Sequence, residues 1–562
     1  MPTTHNATAA GLEKTSWLPL ILVVLTQIQT TFAGIALSVS MGRITADLQT
    51  AATSVGIAVT AGTFTMAAFI LLGAKLGDRF GSRRVFQIGL IIHGLALAAV
   101  ALSVNPVMLF IAQASSGAVI ALIAPALTVF IATNFKGEQQ AVSIGFLAAA
   151  IPAAGVLALL IGGTFSSTIG WRYTFALVAV MSLVNLLLSF KLKPIPAQRE
   201  LKIDWTGAAL AAVSVVLLSI GFNGLNSWGV VLATPAAPFN ILGLSPAPVL
   251  IILGAGTAQT FFVWLRRGHN RDEPRILNLE VLDTASERAV SWCMAVMLFV
   301  ATAATFLIPL YIQMVQGRTG LQTAIAIVPY ALSVFIASTG VVRLYSRFSP
   351  RQIARTAFLV DAVGLVLLAF TIGNEWEAFF VVLGLITLGL GQGALVALVF
   401  NTLLTAAPKQ LAGDVGAWRG LVHNLSGSIG IAVASMFAVG VLGGLITASV
   451  ADHPEIQSDL VSRVNFNNAN FATNDHLEDL LAHTPATPEQ VDVAVDINTE
   501  ARLQALQISL LALAALSLLA IVPAGQMPGR LPDDLPEHVV TPEPNPADDK
   551  DLQTEDPAER TA

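Results

Sequence analysis

The sequence predicts an all-α polytopic membrane protein of fourteen transmembrane helices, ordered as six, two and six. Three observations carry this. Only 11% of residues are charged and 55% are apolar, whereas a soluble domain averages about 25% charged. Apolar runs of roughly 20 residues recur from end to end, each long enough for a hydrocarbon core of about 30 Å. One short charged stretch, Ala74 to Arg84, lies between two such runs and returns in degenerate form eight runs later.

The N-terminus is polar to Ser16, and the first apolar run continues as an ordinary span, so no cleavable signal is expected. The first six spans fall near 17–40, 53–74, 85–104, 107–131, 141–164 and 171–191, forming a bundle over 17–191. Two more, 206–224 and 246–265, sit within a 192–288 insertion and are joined by an apolar, Pro- and Gly-containing connection at 225–248. The last six fall near 289–313, 322–343, 355–373, 378–405, 416–447 and 504–524. Residues 448–503 hold ten acids and two arginines. There Asn465–Asn470 suits a loop, 485–503 suits a short helix, and a solvated connector is favoured over a substrate-recruiting lid. Residues 525–562 are rich in Pro, Asp and Glu and read as a disordered tail. The net charge of −6 comes from these two polar segments. The single cysteine, Cys293, cannot form an intrachain disulfide and reads as a small buried hydrophobe.

Lys and Arg set the orientation. Twenty lie in or beside the loops joining spans 2–3, 4–5, 6–7, 8–9, 10–11 and 12–13, against five in the opposite loops: Arg43, Arg172, Arg318, Arg463 and Arg502. The even loops and both termini are therefore expected in the cytoplasm, the protein being a multi-pass component of the inner (plasma) membrane.

The charged stretch repeats. Leu76, Arg79, Phe80 and Arg83 align with Leu344, Arg347, Phe348 and Arg351. An offset of eight spans makes spans 1–6 and 9–14 equivalent units with spans 7 and 8 inserted, and repeated bundles of this kind mark transporters.

Residues 74–84 resemble the loop 2–3 signature of the major facilitator superfamily. Ile203-Asp204-Trp205-Thr206-Gly207, Gly162-Gly163 with Trp171-Arg172-Tyr173-Thr174-Phe175, Pro125, Tyr311-Ile312-Gln313, Pro329 and Gly427-Ser428-Ile429-Gly430 resemble further landmarks of its fourteen-helix drug–proton antiporter branch. The resemblance implies a major facilitator fold and alternating-access transport. It also implies that Asp78 meets the start of span 13 near Gly413–Gly416, and that spans 1, 4, 9 and 12 line the substrate path. Several signature positions depart from the pattern: Gln29 replaces the span 1 acid, Gln113 the span 4 arginine, and Ala158-Leu159 the span 5 Gly-Pro. Without that acid or that arginine, strong selection for cationic drugs is not expected.

Candidate residues follow. Gly77 and Gly81 permit a tight turn; Asp78 suits the positive end of a helix; Arg79, Arg83 and Arg84, with Arg347 and Arg351 in the second copy, can meet acids or lipid phosphates. Together they are candidates for a gating latch. Gln27, Gln29, Thr30, Thr31, Gln113, Ser115, Ser116, Gln313, Gln316, Gln392 and Asn401 are candidates for the substrate path, with helix–helix hydrogen bonding as the alternative. Ionisable residues inside spans are candidates for proton coupling: Asp361, which could instead pair with Arg355 or Arg351, and Arg419 and His423, four apart on one helical face. His93 reads as a hydrogen-bonded packing residue. His476 and His483 have acids nearby and read as solvated surface.

No Walker-type loop, nucleotide-binding motif, Cys/His metal spacing or hydrolytic constellation is present. The expectation is no enzyme, no ATP, no cofactor and no nucleic acid. The partners expected are the lipid bilayer, a small-molecule substrate and protons. The leading reading is a secondary active exporter of small amphipathic or hydrophobic compounds. A uniporter or carrier of a neutral or anionic metabolite is the second, and a transporter-like receptor or lipid-handling assembly factor using 448–503 is the third.

Overall fold

The structure, a computed structural model, describes residues 17–529 apart from 51, 236, 241, 271–273, 319, 374–377, 407–408, 453–476, 479–480 and 482–486. Among these residues fourteen helices are long and apolar enough to cross a membrane. They are α1 (Leu18–Val39), α2 (Ala52–Phe80), α3 (Ser82–Ala101), α4 (Pro106–Asn134), α5 (Gly137–Leu157), α6 (Trp171–Ser189), α7 (Trp205–Trp228), α8 (Pro246–Asn270), α9 (Ala285–Leu310), α10 (Gly320–Gly340), α11 (Pro350–Thr371), α12 (Ala378–Ala406), α13 (Ala412–Asp452) and α14 (Pro488–Leu519). Through a π-helical turn, Ala158–Gly162, α5 continues into Gly163–Thr168.

Helix starts follow from local chemistry. Asn105 accepts from the Met108 amide at 2.8 Å with Pro106 in the first turn. Thr284/Glu287, Ser349/Gln352 and Thr487/Gln490 form reciprocal capping boxes. The last of these corrects one expectation: with Thr487 capping and Pro488 opening the helix, the short helix expected over 485–503 is the leading part of α14. The charged stretch is not a loop either. Helix α2 runs on to Phe80 and α3 begins at Ser82, so the reversal falls on Gly81 alone, at φ +91°. Gly77 stays helical. Residues 1–16, Asn465–Asn470, His476, His483 and 530–562 lie outside the described residues.

The helices pack as two related bundles. In the first, α2 lies on α4, α3 on α4 and α6, and α1 on α5 and α6. Adding eight to each number gives the second: α10 on α12, α11 on α12 and α14, and α9 on α13 and α14. Contacts between the bundles obey the same exchange, α5 meeting α10 and α12 while α13 meets α2 and α4. The hairpin α7–α8 leans through α7 on both α2 and α13. Asp204 accounts for the motif that opens α7: its carboxylate accepts from the Gly207 amide at 2.7 Å and from Trp264 of α8 at 3.1 Å. A Cβ at Gly207 would strike that carboxylate.

Candidate functional site

The bundles meet closely on the side that carries the charged stretch, here the motif side. The Asp78 carboxylate faces the first turn of α13, where a Cβ on Gly413 would lie 2.9 Å from Oδ1; helix starts carry unpaired N–H groups and positive potential. Lys75, one turn before Asp78, reaches across to Asp414 at 2.6 Å and stays 3.7 Å from Asp78. Lys75 and Asp414 are buried, and Asp414 also accepts from the Asn278 amide at 3.3 Å. In the sequence Lys75 is one of the loop charges that set the orientation, and Asp414 is not singled out. The usable signals were an i,i+3 Lys–Asp pair and an acid in the first turn of α13.

The arginines do other work. Arg79 stacks over Phe80 at 5.4 Å, and Arg84 is exposed. Arg83 donates to the Phe190 carbonyl at 2.8 Å, just beyond α6. Its repeat partner Arg351 donates to the Met527 carbonyl at 3.2 Å, beyond α14, and Arg347 is exposed. None of these five forms an ion pair among the described residues, so Arg83 and Arg351 hold helix-end carbonyls, not acids.

Glycines bring the bundles together on this side. A Cβ on Gly145 of α5 would lie 2.5 Å from the Ser338 carbonyl of α10, and one on Gly416 of α13 2.5 Å from Thr128 Oγ1 of α4. Gly34 of α1 and Gly440, Gly443 and Gly444 of α13, toward the other end, face open space. Also at that far end, Asp47, closing the short helix Met41–Asp47, pairs with Arg172 and accepts from Trp171 Nε1 at 3.1 Å. The Arg172 hydrogen bond holds the Asp47 carboxyl below its ordinary range.

Between the bundles lies a cavity of about 220 Å³. Its polar wall is Gln27, Thr30 and Thr31 of α1, Thr63 of α2, Gln113 and Ser116 of α4, and Arg419, His423 and Asn424 of α13. Arg419 sits over the ring of Phe400, from α12, at 5.0 Å. Among the described residues Arg419 and His423 are the ionisable lining groups, and no carboxylate is among them.

Six path candidates lie elsewhere. Helical residues advance by about 100°, so Gln29 is turned roughly 200° from Gln27 and Ser115 likewise from Gln113. Gln29 is fully buried within the first bundle; it donates to His93 Nδ1 at 2.7 Å and accepts from Asn185 Nδ2 at 2.7 Å. Ser115 lines a shallow depression between α3 and α4 and bonds the Ile111 carbonyl. Gln392 donates to Asp361 at 2.7 Å. Gln313 lies in the π-helical turn Tyr311–Val315 after α9, and Gln316 donates to the Tyr311 hydroxyl at 3.0 Å. Asn401 is buried beside Phe400 and is not part of the lining. Among the described residues this cavity is lined from α1, α2, α4 and α5 with α12 and α13; of the helices expected to line the path, α1, α4 and α12 contribute to it and α9 does not.

Asp361 neither caps a helix nor pairs with Arg355 or Arg351. It is fully buried and accepts from Gln392 of α12 and from Ser517 of α14, both at 2.7 Å. His93 precedes it by 268 residues, the interval that separates Leu76 from Leu344. The two bundles thus carry a buried polar node at one repeat position, Gln29–His93–Asn185 in the first and Gln392–Asp361–Ser517 in the second.

Two equivalent six-helix bundles closing over a polar cavity define a two-bundle membrane transporter. The chain belongs to the Major Facilitator Superfamily, whose family model matches residues 20–431, and its fourteen spans put it in the fourteen-helix branch. It is 26% identical to the "Probable actinorhodin transporter" of Streptomyces coelicolor, over 80% of this chain and 77% of that protein. It is 24% identical to the "Puromycin resistance protein pur8" of Streptomyces alboniger, over 80% and 86%. It is 23% identical to the "Tetracenomycin C resistance and export protein" of Streptomyces glaucescens, over 79% and 78%. Among solved structures the fold is similar to the human organic anion transporter MFSD10, at a TM-score of 0.55 and 12% identity, covering 90% of this chain and 99% of that one. The proton:xylose symporter XylE gives the same score and identity, covering 92% and 98%.

Proposed function

We propose that the protein is a secondary active exporter of small amphipathic compounds, working by alternating access from the inner membrane with its motif side and both termini in the cytoplasm. The observation that carries this is the polar cavity at the junction of two bundles that are drawn together on the motif side. Such an arrangement offers the cavity to one side at a time as the bundles rock. The relatives' names, which speak of resistance and export, support the direction. An intact interbundle cavity also favours transport over a receptor or assembly role.

Coupling to protons needs a titratable group whose surroundings change as the bundles rock. Asp361 and His93 are enclosed within single bundles, and rigid-body motion leaves their neighbours in place. His423 lines the junction itself, and a histidine ordinarily titrates near neutral pH, so it is our choice for the coupling residue. The test uses purified protein in vesicles bearing a pH gradient, with a panel of amphipathic compounds. The expectation is gradient-driven accumulation by the wild type and its loss in His423→Gln, with downhill exchange retained and Asp361→Asn still coupled. Coupled flux in His423→Gln would remove that residue from the mechanism. A wild type that moves no compound would remove the transport reading.

A further inference from the structure

We infer that Arg419 reads an acidic group on the substrate, so that the cavity takes an organic anion: a flat apolar body bearing one carboxylate or ionised phenol. This rests on the transport reading and narrows it to a chemical class.

Arg419 is 9% exposed, its Nε has no hydrogen-bond partner, and it forms no ion pair among the described residues. A buried cation of this kind is costly unless an anion meets it. On the motif side Asp78 and Asp414 are already engaged with Lys75, and among the described residues no carboxylate lines the cavity. The missing partner is therefore expected from outside the protein. A guanidinium offers a planar fork that matches a carboxylate. Phe400 beneath it supplies an aromatic face. Around the fork the wall is amide and hydroxyl: Gln27, Thr30 and Thr31 opposite, and Gln113, whose Oε1 has no partner. His423, one turn along α13, adds a second donor on the same face.

The placement also explains a departure in the sequence. Gln113 occupies the position where the resembled span 4 signature carries arginine, so the first bundle brings no cation to the cavity. Arg419 brings one from the second bundle to the same cavity. The guanidinium is thus carried by α13, the helix that also meets Lys75 on the motif side, and an anion bound to it would touch both bundles at once.

The test is a binding comparison on the full chain in lipid nanodiscs, using naphthalene-2-carboxylate, its carboxamide and naphthalen-2-ylmethylammonium. Wild type should bind the carboxylate at least tenfold more tightly than the amide, and the ammonium most weakly. Arg419→Gln should erase the acid-over-amide preference, the acid losing at least tenfold more affinity than the amide. Arg419→Lys, which keeps the charge and loses the fork, should retain part of the preference. Equal binding of acid and amide by the wild type, or a preference that survives in Arg419→Gln, overturns the assignment and leaves export of other amphipathic compounds standing. Binding of none of the three, together with no flux of any panel compound, overturns both readings.

Discussion

Lys75 is held between two carboxylates that belong to different bundles. Asp78 is on its own helix and stays 3.7 Å away, whereas Asp414 arrives with α13. If the bundles part on the motif side, Asp414 leaves and Asp78 remains, so the lysine is never stranded. A buried ion pair adds little net stability over apolar residues, but removing one partner costs about 3–5 kcal/mol because the other charge is left uncompensated. Lys75→Met should therefore penalise the closed motif side and favour its opening. In a Cys293→Ser background, a Ser338→Cys probe should be labelled by a water-soluble maleimide several-fold faster in Lys75→Met, and Lys75→Met/Asp414→Leu should return the rate toward the parent. An unchanged rate in the single variant would mean that this contact does not set the equilibrium. Asp78 and the arginines were legible because they sit together in a recognisable stretch. The Lys75–Asp414 pair was not, because its members are 339 residues apart and nothing local marks them as neighbours.

At the scale of helices, hydropathy located every span, since length and apolarity are local properties. It did not resolve which face of a polar-dotted helix turns inward. On α1 the residues at 27, 30, 31 and 34 form the cavity stripe, and Gln29, the residue singled out by its position in a signature, points the other way into its own bundle. The missing information was the packing of α3 and α6 behind α1. Close approach between bundles depends on residues without side chains: a Cβ at Gly145 meets the Ser338 carbonyl, and one at Gly416 meets Thr128. Filling these gaps forces displacement of backbone or of a packed side chain. Gly145→Leu and Gly416→Leu should insert normally yet hold the motif side apart. Spin labels placed on α5 and α10 at that end should report a longer distance than in the parent, and an identical distance distribution would show that the approach tolerates bulk.

For the molecule as a whole, the doubled architecture was legible from one degenerate repeat, and its interlocking was not. The eight-helix offset reproduces the contacts inside each bundle and also those between them. The inserted hairpin breaks this equivalence. Its flanking loops touch both sides of the Lys75 contact, the Gln198 amide donating to the Asp78 carbonyl at 2.8 Å and the Asn278 amide to Asp414. Replacing residues 205–270 by a flexible linker, with both loops retained, should preserve insertion and the cavity but lower the thermal midpoint. An unaltered midpoint would show that α7 adds no support. Because α7 lies over α2 and α13 while no described helix covers the junction of α5 and α10, the two seams have different neighbours: one is backed by a further helix and the other is not. For the proposed export of amphipathic compounds, only the α5–α10 seam would then offer a route from the bilayer that no described helix backs, so two equivalent halves would present unequal flanks to the lipid.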